Sequence, residues 1–531
     1  MSSVYRQKDH GFAIQMRLIL HLVQKNLVLG VIGLVVFFIF LDFSYLKLNT
    51  ADASVYLSTA KNIADHKGFV VSYNLSQSFN TLYHPVLPYY QPLYSFFSSL
   101  FINHGGIVKV IQINILFFAL NAMLIFYIIQ ELIPTRFNVL FIFFLVFSHS
   151  FFDSALYAWT EQFYFFNFII TFILFLKFLR SPGHLAWLGF LNGVLMLVRV
   201  AHLFNVLAYL PVIFIGKDPL RQKACRAFFF IGGFILAYGL YQLFCLYFYH
   251  VFYPEYARPG ASYGLARYTS GVIYSLNQVG IQIFLGSFFS LKNFLSIGEH
   301  VRDFFHFLPL FLSPALFYYF LPASKRQDGG LVALCFSQSI FAILGYSASF
   351  YWVPHFSDFE FLRYSLLPYV LMSVAGWYCL YQGLSFFEPL GRQVTTGLVF
   401  LSLLYPQVEK FIAFKSDLFR HPLWERPYYK DLMESCNWID RNLPREVLVA
   451  SNEDQQGYFM HRPYISTPPG KSFNCANLAL YNRIYSPDYY LLSRAITDKC
   501  FTSIPHTVIF SNKTFRLYKV NSFSRRENHV H

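Results

Sequence analysis

Apolar residues in this chain come in blocks, not in alternation. A helix that crosses the hydrocarbon core of a bilayer needs about 20 predominantly apolar residues, and about eleven blocks approach that length. They run over 27–46, 107–130, 138–152, 160–179, 184–200, 201–215, 227–249, 305–321, 331–350, 363–382 and 394–414. A further stretch, 272–289, fits a re-entrant or interfacial segment. The first two blocks are separated by a polar and aromatic segment, 47–106. Inside it lies a short apolar piece, 92–102, which is too short to span and is expected as a helix lying in the interface. Beyond 415 the pattern turns polar and rich in turn residues. There, 447–450 and 507–510 have the composition of buried strands, and 429–441 has a helical period that puts Leu432, Cys436 and Ile439 on one face. The pattern predicts an α-helical polytopic membrane protein. Its parts are an N-terminal segment 1–26, a transmembrane module 27–414 that includes the long outer loop 47–106, and a small α/β domain over 415–531. No internal repeat is evident.

Composition supports the membrane assignment. Of 531 residues, 56% are hydrophobic and 13% charged, against about 25% charged in soluble domains. The net charge of +14 does not mark a nucleic-acid binder, because the basic residues fall between apolar blocks instead of along one face. Arg6, Lys8, Arg17 and Lys25 precede the first block. Lys177 with Arg180, then Lys217, Arg221, Lys223 and Arg226, then Lys325 with Arg326, and finally Arg392 all fall on one side if the spans alternate. Positive residues favour the cytoplasm, so the N-terminus is expected inside, and the loop 47–106 and the C-terminal domain outside. The mixed polar residues before the first block and the lack of a small-residue cleavage site argue against a cleavable signal. Seven cysteines are too few for a disulfide scaffold. Cys225 is expected in a short basic loop, and Cys245, Cys335 and Cys379 as packing residues. One disulfide can form among Cys436, Cys475 and Cys500, with its pairing open.

Several short motifs, in this order, carry a resemblance. Asp52-Ala-Ser-Val-Tyr56 is followed by Ala60-Lys-Asn-Ile-Ala64 and Gly68-Phe69. Tyr89-Tyr-Gln-Pro-Leu-Tyr-Ser leads into the short apolar piece. Thr160-Glu161 opens a span, and the Gly-rich run Gly189 to Arg199 closes one. Arg363-Tyr-Ser-Leu-Leu-Pro-Tyr leads a late span. Trp438-Ile-Asp-Arg-Asn-Leu-Pro, Val447-Leu-Val-Ala-Ser and His461-Arg-Pro lie in the tail. Together they resemble the GT-C superfamily of polytopic glycosyltransferases, of the protein O-mannosyltransferase and lipid A aminoarabinose transferase type, and the tail is similar to that of bacterial members. The resemblance implies transfer of a sugar from a polyprenyl-phosphate donor to a hydroxyl of a lipid, glycan or protein. It implies a single displacement with inversion, at the outer face of a bacterial inner membrane, with a hydrophobic groove for the polyprenyl chain. Several members carry Asp-Glu at the first-loop position, whereas here Asp52 is followed by Ala53.

Such a displacement needs a base at the acceptor and cations at the departing phosphate. Asp52 either caps the helix that follows it or serves as the base, and the two roles are compatible. Glu161, at the outer end of a span, and Asp153, in the same outer loop, are the other carboxylates at hand. Ionisable groups at membrane depth are costly and suggest function. Arg199 suits a phosphate because its fork donates parallel hydrogen bonds; its alternative is snorkelling to headgroups. His202, three residues on, can share a helical face with it. Arg258 and Arg267 in a long outer loop, Arg363, His84 and Tyr56 complete the substrate-side candidates. No zinc-type spacing is present. Some members of the superfamily use a divalent ion, which leaves a metal at Asp52 open. No phosphate-cradling Gly-rich loop is present either, which argues against an ATP-driven pump. A flippase of lipid-linked saccharides is the rival class. It would share the helices and the basic residues, but the symmetric broken helices common in transporters are not found.

Overall fold

The computed structural model describes residues 30–41, 51–69, 73–74, 91–104, 106–132, 138–148, 151–152, 154–156, 160–199, 202–214, 218–249, 334–335, 337–342, 344, 366–383, 391, 394, 408, 412, 427–451, 464–466, 486–494 and 506–520. The predicted spans 305–321 and 394–414, and the stretch 272–289, lie wholly or almost wholly outside them.

The helices are α1 (Gly30–Leu41), α2 (Ala51–Ala64), α3 (Pro92–Ile102), α4 (Gly106–Leu132), α5 (Asn138–Val146), α6 (Glu161–Phe178), α7 (Pro182–Leu195), α8 (His202–Phe214), α9 (Leu220–Tyr249), α10 (Leu366–Gly383) and α11 (Pro427–Asn442). Among the described residues, the helices over Gly106–Gln130, Glu161–Phe178 and Leu220–Tyr247 are long and apolar enough to cross a membrane. The shorter apolar helices include α1, α3 and α8.

Aromatic packing sets the inner arrangement. Phe40 of α1 meets Phe118 of α4 edge-on at 4.8 Å. Phe97 of α3 stacks on Phe163 of α6 at 4.8 Å, and Phe117 of α4 meets the same ring at 5.3 Å. Trp377 of α10 stacks on Phe141 of α5 and donates its indole N–H to Asn138 Oδ1 at 3.0 Å. These rings bury large areas, and the Trp N–H finds a partner as burial requires.

α7 and α9 pack backbone to backbone. A Cβ at Gly189 would lie 1.9 Å from the Phe230 carbonyl oxygen, and one at Gly233 would lie 1.9 Å from that of Ala186. One at Gly193 would lie 2.7 Å from the Phe234 oxygen. Gly189 and Gly193 are four apart on one helix face, the small-residue spacing that lets membrane helices approach closely.

Three boundaries differ from the pattern. α5 stops at Val146, short of the expected 138–152, because polar Ser148 turns its hydroxyl back onto the Leu145 carbonyl at 2.6 Å. α7 and α8 are shorter than 184–200 and 201–215, because the chain turns through Met196 to Arg199 between them. α9 begins at Leu220, not 227, so Cys225 lies on a helix and not in a loop. Its basic first turns reach polar surroundings, with Arg226 on Asp218 at 2.7 Å. That bond holds the Asp218 carboxyl below its ordinary range.

From Pro427 on, the chain forms α11 and the strands β2 (Val449–Ser451), β3 (Tyr464–Ser466), β4 (Tyr489–Ser493), β5 (His506–Ser511) and β6 (Phe515–Val520). A two-residue strand β1 (Tyr73–Asn74) from the first loop joins them in one sheet of order β1-β3-β2-β4-β6-β5. β1, β3, β2 and β4 are parallel, while β4, β6 and β5 are antiparallel. The central strands β2 and β4 are buried, as near-continuous apolar runs in parallel sheets are. The expected buried strand at 507–510 is instead an edge strand, β5. It carries a bulge between Val508 and Phe510, and Val508 is 50% exposed. β4, which the pattern did not single out, is the buried one.

α11 covers the sheet with Tyr429, Leu432, Cys436 and Ile439, and Trp438 stacks on Phe510 at 5.1 Å. Asn512, in the turn between β5 and β6, donates to the Asp431 carbonyl at 2.7 Å and to Ser435 Oγ at 3.0 Å, and accepts from the Phe515 N–H at 2.8 Å. Its amide is therefore a structural link to α11, although Asn512-Lys513-Thr514 matches a glycosylation acceptor pattern. Cys436 is a free, fully buried thiol, so of the three tail cysteines it is not one that forms a disulfide; Cys475 and Cys500 lie outside the described residues.

Candidate functional site

The first loop folds back onto the bundle. α2 starts at Ala51, so Asp52 lies inside its first turn, not ahead of it as a cap. Ala51 and Ala53 are good helix formers. Tyr56 of α2 is buried and meets Tyr94 of α3 edge-on at 5.3 Å, which places its ring in the packing between these two helices. Tyr94 accepts from Asn114 of α4 at 2.9 Å. Burial pushes the Tyr94 phenol up, and the nearby charge of Glu161 adds to the effect. Lys61, further along α2, is half-buried. Burial holds its ammonium below the lysine range against the pull of Asp65 and of Asp440 on α11.

The centre of the site is an ion pair. Glu161 begins α6, where the dipole favours its charge, and Arg199 follows the last turn of α7, where a cation is favoured. Arg199 Nη1 donates to Glu161 Oε1 at 3.0 Å, and the two residues are only 8% and 1% exposed. The guanidinium also lies over the Tyr164 ring, 5.8 Å from its centroid, in a cation–π contact. α3 is tied to the same place, since the Leu93 N–H donates to the Leu197 carbonyl at 2.9 Å. The helix that packs on α2 therefore hydrogen-bonds to the turn that carries Arg199.

Below the pair lies a buried polar network. His202 Nδ1 meets Tyr164 Oη at 2.8 Å, and its Nε2 meets Asn192 Oδ1 at 2.9 Å. Asn205 donates to the Tyr164 hydroxyl at 2.6 Å, and Asn192 donates to the Leu188 carbonyl at 2.7 Å. Gln338 donates to the Asn205 carbonyl at 3.1 Å. A second network joins Asn121, Gln162 and Ser154. Both are buried, as polar groups in a bilayer interior must be when paired with one another.

Sequence reasoning found Glu161, Arg199 and His202, and the structure brings these three together. It missed Tyr164, Asn192, Asn205 and Tyr94. A signal existed, because polar positions recur at a spacing of three, 161 and 164 on one helix and 199, 202 and 205 about the next turn. Asp153, His84, Arg258, Arg267 and Arg363 lie outside the described residues. Among the described residues, no three His, Cys, Asp or Glu side chains converge to hold a metal. An apolar void of about 20 Å³ lies among Phe165, Phe168, Phe172, Cys335 and Val370; it is too small for a polyprenyl chain.

No protein-family model and no curated protein sequence matches the chain. Solved structures do match. The chain is similar to ArnT from Cupriavidus metallidurans bound to undecaprenyl phosphate, with 12% identity and a TM-score of 0.56, over 93% of this chain and 97% of that one. The apo state of the same protein gives 13% identity and a TM-score of 0.51, over 94% and 98%. Arabinofuranosyltransferase AftD from Mycobacteria gives 13% identity and a TM-score of 0.53, over 93% of this chain and 40% of that one. The chain shares the fold of these solved structures, a polytopic membrane fold.

Proposed function

We propose that the protein is a membrane glycosyltransferase that takes a sugar from a polyprenyl-phosphate donor and places it, with inversion, on an acceptor hydroxyl at the outer face of the membrane. The observation that carries this is the buried Glu161–Arg199 pair at the helix ends onto which α2, with Asp52 in its first turn, is held through α3. The shared fold supports it. So does the undecaprenyl phosphate bound in the similar ArnT structure.

In this reading the acceptor oxygen attacks the anomeric carbon, the bond from that carbon to the phosphate oxygen breaks, and the acceptor proton passes to the Asp52 carboxylate. The Arg199 guanidinium holds the lipid phosphate through its fork, in the bound donor and as the phosphate departs. Glu161 holds Arg199 in place between turnovers. Asp153 serves as a further acceptor-side carboxylate, and Arg258, Arg363 and His84 contact the sugar and phosphate. The N-terminus is cytoplasmic, the C-terminal domain is outside, and the membrane is a bacterial inner membrane. A divalent ion would sit at Asp52 if the reaction uses one; there it would screen the donor phosphate.

The test is transfer by membranes containing the protein, supplied with a panel of polyprenyl-phosphate sugars labelled in the sugar. Label should leave the lipid and appear on an acceptor. Movement of intact labelled lipid across the bilayer, with no transfer from any donor, would overturn the reading in favour of a flippase.

A further inference from the structure

Tyr164 touches both halves of the site: its ring lies beneath the Arg199 guanidinium and its hydroxyl meets His202. We infer that His202 is a positioning residue that fixes Arg199 for the donor phosphate by locking Tyr164 and the end of α7 against each other. The inference rests on the donor reading above.

The hydrogen bonds assign the imidazole. Asn192 uses its amide N–H on the Leu188 carbonyl, so its Oδ1 accepts, and His202 Nε2 carries the proton it donates there. Asn205 donates to the Tyr164 oxygen, so the Tyr164 hydroxyl proton points at His202 Nδ1, which accepts it. Each donor then faces one acceptor with a neutral imidazole. The ring thus ties Asn192, on the helix that leads to Arg199, to Tyr164, one turn beyond Glu161 on α6. The backbone closes the arrangement, because the His202 N–H donates to the Arg199 carbonyl at 3.0 Å and the Arg199 N–H to the Leu195 carbonyl at 3.1 Å. His202 is fully buried and both its ring nitrogens are engaged within the protein. It acts through Arg199 and does not itself touch the lipid phosphate.

The experiment measures binding of undecaprenyl phosphate to the purified full chain in lipid nanodiscs, with donor KM and kcat alongside. Variants are His202→Ala, His202→Asn, which keeps an acceptor for Tyr164, His202→Gln, which keeps a donor for Asn192, Arg199→Ala, and Arg199→Ala with His202→Ala. Loss of one buried hydrogen-bonding side chain should weaken binding by roughly tenfold in His202→Ala. It should raise donor KM to match and leave kcat within about threefold. A merely structural role would lower the active fraction, and so kcat, while leaving KM in place. The double variant should bind no worse than Arg199→Ala, since a residue that acts through another has nothing left to lose. His202→Asn should recover part of the affinity. If His202→Ala does not fold, the Asn and Gln variants carry the same comparison. Unchanged binding in the His202 variants, or additive losses in the double variant, would overturn the inference. Absence of binding by the wild type would defeat the donor reading itself, and the inference with it.

Discussion

A carboxylate and a guanidinium removed from water together offset each other's desolvation, and the balance is lost when either goes alone. Breaking a buried pair from one side costs about 3–5 kcal/mol, while replacing both members with neutral residues is often close to neutral. Glu161→Gln or Arg199→Gln alone should therefore lower the melting temperature of the detergent-solubilised protein more than the double variant Glu161→Gln with Arg199→Gln. Equal or larger loss in the double variant would show that the pair itself holds α6 and α7 together. The charged members of this site were legible in the sequence because charge is rare in apolar blocks. Their partners were not. Tyr164 and Asn192 pass as ordinary interior residues until the fold shows that positions 38 and 10 residues from His202 adjoin its ring. Asp52 was legible as a carboxylate beyond the first span, but its place inside the α2 turn, and not at its cap, depends on where that helix begins.

Among the elements, the α7–α9 contact is the one most sensitive to a single atom. Gly233→Ala puts a methyl carbon within van der Waals overlap of the Ala186 carbonyl, and this neighbour is backbone that cannot swing away. Overpacking of this kind costs about 1–3 kcal/mol, so Gly233→Ala should lower thermal stability, whereas Gly232→Ala, with open space at its Cβ, should not. The comparison is read from melting curves of the two variants. The hydrophobic blocks predicted α4, α6, α9 and α10 to within a few residues at most ends, since long apolar runs mark themselves. The sheet was less legible. β1 is two residues long and carries no periodicity, so nothing in the first loop announces that it completes a sheet with strands from beyond Val449. β4 contains Tyr489 and Tyr490, residues that in a membrane protein suggest an interface as readily as a core. The strand at 507–510 has a buried composition but ends up at the edge, because burial there is decided by strand order.

For the whole molecule, the proposed orientation, with the N-terminus inside, would put the start of α2, Glu161 and Arg199 at the outer face. Cys225 is an exposed thiol among Arg221, Lys223 and Arg226 on the first turns of α9, which the charge bias assigns to the cytoplasm. In a variant whose other cysteines are replaced by alanine, a membrane-impermeant maleimide should label Cys225 in inside-out vesicles and not in intact cells. Labelling in intact cells would invert the topology. Cys436, buried under the sheet with its thiol pushed up by burial, should stay unreactive in the native wild type and react only after denaturation.

The most direct test of the central claim compares wild type with Asp52→Asn in proteoliposomes, following release of labelled sugar from its polyprenyl-phosphate carrier onto acceptor. Removing a general base costs typically 100-fold or more, so Asp52→Asn should lose transfer by about that factor while still binding the donor lipid. Transfer by Asp52→Asn at the wild-type rate would take Asp52 out of the mechanism and contradict the account.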